Sequence, residues 1–89
     1  MAKPAADFRS DSDKEILNAP DFFLIRVFQQ EYGWIDSARF TAQEALQRYN
    51  NILNLGKPYR LMLCAVRMFG KNQHICSISV PELTAYASR

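Results

Sequence analysis

Cys64, His74 and Cys76 are the side chains whose types and spacing come closest to a reactive site. A histidine beside a cysteine can accept the thiol proton and leave a nucleophilic thiolate. His74 and Cys76 are two residues apart and would share one face of a strand, and Cys64 could lie diagonally across a hairpin on that face. A thiol on an apolar face has a raised pKa and is inert. We therefore interpret both cysteines as buried packing residues.

Metal, cofactor and phosphate sites need residue sets that this chain lacks. One histidine and four scattered carboxylates between residues 21 and 80 supply too little for a catalytic triad or a multi-ligand metal site. Gly56 and Lys57 suggest a phosphate-binding loop, but Asn51 stands where a first glycine is required. Pro58 occupies the position of the magnesium-binding serine or threonine. The sequence predicts no catalytic residue, no metal site and no cofactor.

Basic and aromatic side chains along the central segment favour a nucleic-acid hypothesis. Residues 21–80 carry seven positive and four negative charges, a balance of +3. An aromatic and basic sheet face often holds single-stranded RNA, and Trp34 would belong to such a face. The candidate phosphate contacts are Arg26, Arg39, Arg48, Lys57, Arg60 and Lys71. The isoelectric point near 8.7 is below the basic range typical of nucleic-acid-binding domains, so we keep this function as the alternative.

Alternation of apolar and other residues predicts four strands, and a 3.6-residue period predicts one long helix. The predicted strands span residues 21–30, 34–40, 59–69 and 74–80. Between the second and third strands, Thr41 and Glu44 have the spacing of a capping box, and Gly56 stands where the helix should end. The fold class is therefore α+β, a ββαββ unit with a mainly antiparallel four-stranded sheet and one long helix on one face.

The two ends of the chain are predicted to hold short helical turns at most. Residues 1–20 are polar and are expected to form a flexible arm, with one possible turn capped by Ser12 and Glu15. Ser79 and Glu82 have the same spacing near the C-terminus, where the alternatives are a capped helical turn with Leu83 and Tyr86 or a continuation of the last strand. Residues 21–89 then form a single domain.

The predicted sheet has more apolar surface than one amphipathic helix can cover. The strands at 21–30 and 59–69 are apolar on both faces, and the surplus face carries Phe22, Leu24, Phe28, Met62 and Trp34. Its cover could be the arm with Phe8, Ile16 and Leu17, the C-terminal turn with Leu83 and Tyr86, or a second copy of the chain. We favour the second copy because a surplus apolar face is typical of an interface.

Composition sets the compartment and the class of function. The 89 residues include 11 Lys and Arg against 9 Asp and Glu, for a net charge of +2. Two cysteines are too few for a secreted disulfide scaffold, and no apolar run approaches the length of a membrane span. We expect a soluble, cytoplasmic, non-enzymatic protein-binding module, an adaptor or inhibitor, that forms a homodimer and does not bind membranes. Nucleic-acid binding is the alternative, and a thiol-dependent enzyme is the third hypothesis.

Overall fold

The computed structural model describes residues 9–57 and 59–89. Within these residues the element order is α1 (Asp11–Asn18), β1 (Phe22–Gln29), β2 (Gly33–Asp36), α2 (Ala42–Asn54), β3 (Leu61–Phe69), β4 (Asn72–Ile78) and α3 (Val80–Ala87). The predicted ββαββ order and the α+β class are confirmed, with a short helix added at each end. None of the described helices is long and apolar enough to cross a membrane.

The four strands form one antiparallel sheet in the order β2-β1-β3-β4. Two hairpins, β1–β2 and β3–β4, meet through the β1–β3 pair, so the two most apolar strands occupy the centre. Gly33 and Gly70 stand at the hairpin turns with positive φ angles of 76° and 66°, a backbone region that favours glycine. Both central strands are mostly apolar on their two sides, with Arg26 of β1 and Arg67 of β3 as the charged exceptions.

Strand β2 is shorter than predicted because a bulge interrupts its pairing with β1. Val27 pairs with Ile35, whereas Phe23 pairs with Phe40, so one extra residue is inserted on the β2 side. Ser37 makes both contacts to Ile25: its backbone N–H donates to the Ile25 carbonyl, and its hydroxyl accepts the Ile25 N–H at 2.9 Å. A one-residue bulge reverses the side on which every later side chain lies.

Helix α2 begins and ends where the sequence indicates. The Thr41 hydroxyl accepts the Glu44 backbone N–H at 3.2 Å, and the Glu44 carboxylate accepts the Thr41 N–H at 2.9 Å. Gly56 follows the helix with a φ of 69°. These bonds satisfy backbone donors that the first helical turn leaves without partners. The cap fixes α2 over the sheet, where Ala45 is completely buried.

The two terminal helices are longer than the turns that the sequence predicts. The N-cap of α1 is Ser10 rather than Ser12, and the Ser10 hydroxyl accepts the Asp13 N–H at 3.1 Å. Helix α1 places Ile16 in the core, so a segment assigned to a flexible arm contributes to the packed domain. Helix α3 has the predicted Ser79 and Glu82 capping box. Residues 1–8, with the predicted cover by Phe8, lie outside the described residues.

All three helices contribute to the core on one side of the sheet, which we call the covered face. Its buried side chains are Phe23, Ile25, Leu63, Ala65, Cys76 and Ile78 from the strands and Ile16, Ala45 and Leu83 from the helices. The opposite side, which we call the open face, has a smaller cluster. It consists of Leu24, Cys64 and Val66, with Phe22, Met62 and Ile75 packed around them.

Candidate interaction surfaces on the two sides of the sheet

The open face brings together the five residues predicted to form an interaction surface. Phe28 lies opposite Trp34 across the β1–β2 pair, and their rings are 5.4 Å apart. Phe22 and Leu24 lie opposite Val66 and Cys64, and Met62 lies opposite Arg26. Directly opposed residues of an antiparallel pair point to the same side, so all five share this face.

Burial on the open face falls from its centre to its rim. Leu24 is only 4 % exposed, and Phe22, Phe28 and Met62 are half-buried. Trp34, on the edge strand β2, is 42 % exposed. Among residues 9–57 and 59–89, no helix packs into this cluster.

Arginine side chains lie over the aromatic rings of the open face. The Arg39 guanidinium is 4.5 Å from the centre of the Phe22 ring, and that of Arg60 is 4.9 Å from Phe28 and 5.9 Å from Trp34. A guanidinium is attracted to the negative face of a ring and is more weakly hydrated than an ammonium. The open face is therefore sheltered by charged side chains where the covered face has helices.

The third arginine of the open face is partly neutralised. Arg26 Nε donates to Asp36 Oδ1 at 2.7 Å, and both residues lie on this face because they oppose each other in the β1–β2 register. Three arginines, counting Arg39 and Arg60, and one aspartate give the surface a formal charge of +2. Any partner of this face must therefore tolerate or complement positive charge.

The six basic residues predicted for nucleic-acid binding do not form one surface. Arg26, Arg39 and Arg60 lie on the open face. The other three are Arg48 on α2, Lys57 in the loop after α2 and Lys71 in the β3–β4 turn. Arg39 joins the open face only because the bulge at Ser37 reverses its direction; simple alternation from Trp34 would place it on the other side.

The prediction that Cys64 shares a face with His74 and Cys76 is wrong. Cys64 lies opposite Ser77 on the open face, whereas Cys76 lies opposite Ala65 on the covered face. The His74 ring packs against Phe69, with ring centres 4.6 Å apart and ring planes at 79°. Burial raises the pKa of both thiols. Successive side chains of a strand point to opposite faces, so Cys64 and its neighbour Ala65 lie on different faces of the sheet. Cys76 lies opposite Ala65 and therefore shares the face of Ala65.

Metal-ligating side chains are also dispersed in the described part of the chain. Within residues 9–57 and 59–89, no group of three or more His, Cys, Asp or Glu side chains is placed to hold a metal ion.

A groove that the sequence analysis did not anticipate lies on the helical side, between α2 and the β1–β2 hairpin. Its volume is about 450 Å³. It is lined by Ile25, Val27, Gln29, Ile35, Asp36, Ser37, Phe40, Arg48, Asn51, Ile52 and Leu55. A smaller hollow of about 160 Å³ continues it between Leu55 and Tyr59. We call the larger cavity the helix-hairpin groove.

The helix-hairpin groove exists because the three helices cover the sheet unevenly. Helices α1 and α3 contribute Ile16 and Leu83 to the packed core, and α2 crosses β1. This arrangement leaves Ile35 of β2 largely uncovered, at 41 % exposure. The sequence signal for this surface was Leu55, an apolar residue that follows α2 directly and precedes Gly56.

An ion pair fastens the start of α1 to α3. Arg9 forms a bidentate pair with the Glu82 carboxylate, with an Nη2 to Oε1 distance of 2.9 Å, and Nη2 also donates to the Ser77 carbonyl at 3.1 Å. The Arg9 guanidinium lowers the pKa of Glu82 to about 2 from its ordinary 4.5, with a further contribution from the hydrogen bonds of the α3 cap. The two terminal helices are thus linked by charge as well as by packing.

Comparison with protein-family models, curated proteins and solved structures found no match to this chain.

Proposed function

We propose that this protein is a small non-enzymatic protein-binding module, an adaptor or inhibitor, and that it acts through the open face. The observation that supports the proposal is the one-sided placement of the helices. Phe28, Met62 and Trp34 keep part of their apolar surface in water, although covering a large apolar side chain is worth about 1.5 to 3 kcal/mol.

The terminal helices α1 and α3 pack on the covered face. Tyr86 packs against Phe23 with ring centres 5.3 Å apart, and its hydroxyl donates to the Leu17 carbonyl. Ile16 and Leu83 are fully buried in the same cluster. The two terminal segments that could have covered the surplus face therefore pack elsewhere from residue 9 onward. This favours a cover supplied by another molecule.

The residue types of the open face match those of protein interfaces. Aromatic residues, methionine and arginine are enriched where proteins meet, and tryptophan and arginine are frequent among the residues that contribute most binding energy. Trp34, Met62 and Arg60 supply all three types within one surface.

We propose that the partner in the isolated protein is a second copy, related by a two-fold axis so that the same patch is used twice. Each patch carries a formal charge of +2, so the copies repel at low ionic strength. The Debye length falls to about 10 Å at 0.1 M salt, which screens this repulsion. Self-association should therefore strengthen as salt is added, whereas binding to an acidic partner should weaken.

Sedimentation equilibrium across micromolar concentrations and several salt concentrations tests the dimer. The expected mass rises from 10.3 kDa towards twice that value, and more readily at high salt. Trp34→Ser should weaken association, and Tyr32→Ser, an exposed aromatic of the same hairpin, is the matched control. A mass of 10.3 kDa at high micromolar concentration in every salt would refute the dimer.

Nucleic-acid binding stays a second candidate because Arg26, Arg39 and Arg60 share the open face with Trp34. Phosphate contacts would give an affinity that falls steeply with salt, a trend opposite to that of the dimer. Retention of single-stranded RNA by the protein at low salt is the test. Arg60→Gln should reduce retention, and Lys71→Gln, on the distant β3–β4 turn, should reduce it less. Absence of retention at low salt would eliminate this function.

A cytoplasmic location is part of the proposal. Both cysteines are free and buried, which agrees with a reducing compartment.

A further inference from the structure

We propose that the helix-hairpin groove binds an aliphatic carboxylate, with the hydrocarbon chain along the groove and the carboxylate at Arg48. The groove lies on the helical side of the sheet, so this inference is independent of the function proposed for the open face.

The body of the groove suits a hydrocarbon chain. Its volume of about 450 Å³ lies within the range of about 300 to 1,000 Å³ that is common for small-molecule sites. Ile25 and Val27 of β1 contribute the strand side, and Ile52 and Leu55 contribute the α2 side. Leu55 is 63 % exposed, so a bound chain would remove from water an apolar side chain that the fold itself leaves wet.

The charge of the groove selects an anionic head group. Two charged residues line it, but the side chain of one of them, Asp36, lies on the open face, where it is bonded to Arg26. Arg48 makes no ion pair with any residue in ranges 9–57 and 59–89. Glu44, one turn earlier on α2, instead uses its carboxylate in the capping box with Thr41. Arg48 is thus a cation without a direct ion pair beside an apolar cavity, with only a longer-range charge interaction with Glu44.

The position of Arg48 fits the role of an anchor. Its guanidinium lies 5.9 Å from the centre of the Phe40 ring, and both residues line the groove. Asn51 adds a neutral polar residue to the lining, whereas the Ser37 hydroxyl is already bonded to the Ile25 N–H and the Ala38 carbonyl. A guanidinium presents paired N–H donors that match the two oxygens of a carboxylate. The lining is otherwise mostly apolar, which is the arrangement expected for a ligand with one polar end.

Titration with decanoate, followed by calorimetry and by methyl-group NMR, tests the proposal. Decanoate should bind and shift the methyl signals of Ile35, Ile52 and Leu55. Arg48→Gln should weaken decanoate binding about tenfold, the size expected for losing one charge-assisted hydrogen bond at an accessible site. Decanol, which has the same chain without the charge, should bind the wild type and Arg48→Gln equally.

Two leucines at the end of α2 provide the matched control. Leu55 lines the groove and is 63 % exposed, whereas Leu53 is 53 % exposed and does not line it. Leu55→Glu should abolish decanoate binding, and Leu53→Glu should preserve it. Both positions are exposed, so both variants should keep the wild-type unfolding temperature.

Several results would overturn the proposal. One is the absence of decanoate binding, which is the result expected if the groove receives a side chain of a protein partner. A second is an equal loss of decanoate and decanol affinity in Arg48→Gln. A third is a set of methyl shifts at Leu24 and Met62, because those residues lie on the open face.

Discussion

The covered and open faces are built from alternate residues of the same strands, yet they are sheltered in different ways. On the covered face, helices supply Ile16, Ala45 and Leu83 as a continuous apolar layer. On the open face, the shelter comes from neighbouring strand side chains and from guanidinium groups over Phe22 and Phe28. The comparison shows that low exposure of a residue does not reveal what covers it. The helices cover the sheet with buried apolar side chains, whereas Arg39 and Arg60 are exposed and can change rotamer when a partner binds.

The largest difference between the faces is expected in the free energy of unfolding of alanine variants at Leu63 and Leu24. The two leucines are 5 % and 4 % exposed, but only Leu63 lies beneath the helices. Leu63→Ala should lower the free energy of unfolding by about 3 kcal/mol, because it leaves a cavity in a closed core. Leu24→Ala should cost about half as much in dilute protein, since mobile side chains can fill the space.

Urea unfolding at low and high protein concentration measures both effects. If a second copy covers the open face, the cost of Leu24→Ala should grow with concentration, and that of Leu63→Ala should change less. Equal losses of unfolding free energy in Leu63→Ala and Leu24→Ala at every protein concentration would show that the two faces are covered in the same way.

Cys76 lies on the covered face and Cys64 on the open face, so the reactivity of each thiol measures how well its face is covered. Both thiols have a raised pKa through burial, so a water-soluble alkylator should modify both at least about tenfold more slowly than in the urea-unfolded chain. Cys76 should keep this protection on dilution, because the core of the covered face encloses it. Cys64 is also buried within the single chain, so its protection should fall on dissociation of the proposed dimer only to the extent that the open-face side chains around it then move.

Mass spectrometry of the alkylated peptides resolves the two rates. Rapid modification of either thiol in the native protein would revive the thiol-enzyme hypothesis. Identical protection of Cys64 and Cys76 at all concentrations would argue against a removable cover on the open face.

The Arg9 and Glu82 pair should make the helical cover sensitive to acid. The folded-state pKa of Glu82 is about 2, below its ordinary 4.5, so the pair stabilises the protein above pH 4.5. That stability should be lost as the pH falls from 4.5 towards 2. The pair is partly exposed, so we expect Glu82→Gln to cost about 1 kcal/mol at neutral pH.

Urea unfolding as a function of pH checks this effect. The difference between the wild type and Glu82→Gln should vanish near pH 2. Glu31→Gln removes an exposed carboxylate from the β1–β2 turn and should leave the stability unchanged at both ends of the pH range. A constant difference across the range would mean that Glu82 acts by packing and not by charge.

The smallest effect is expected from the arginines over the open face. Arg39→Gln should lower the free energy of unfolding by about 0.5 kcal/mol, the value typical of an exposed cation over a ring. Lys57→Gln, in the loop after α2, is the control for loss of one positive charge. A cost for Arg39→Gln that approached that of Leu63→Ala would mean that the open face is held as firmly as the covered one.

Local signals in the sequence predicted most of the elements. The Thr41 and Glu44 capping box, Gly56 and the alternation in β1 and β3 each act over a few residues, so they are visible without a fold. The extent of α1 was not predicted, because an eight-residue helix is marginal by itself and forms here with Ile16 packed in the core. The helix-hairpin groove was not predicted from the sequence either, because the space between α2 and β2 depends on how the helix packs on the sheet.

The bulge at Ser37 shows where pattern analysis fails. Alternation through residues 34–40 predicts one uninterrupted strand, but the Ser37 hydroxyl replaces a backbone partner of Ile25 and inserts one residue. Every side chain after it changes face, which moves Arg39 over Phe22. A serine can make such a bond in many local conformations, so its type alone does not predict a bulge.

The sequence by itself determined that β1 and β3 are apolar on both sides, because alternation assigns each side chain to a face regardless of what lies above it. It also determined the boundaries of α2, through capping bonds within four residues. Only the tertiary structure decided that α1, α2 and α3 all pack on the same face, because the helix periodicity specifies which side of a helix is buried and not which side of the sheet it meets. That choice leaves Phe28, Met62 and Trp34 without a helical cover.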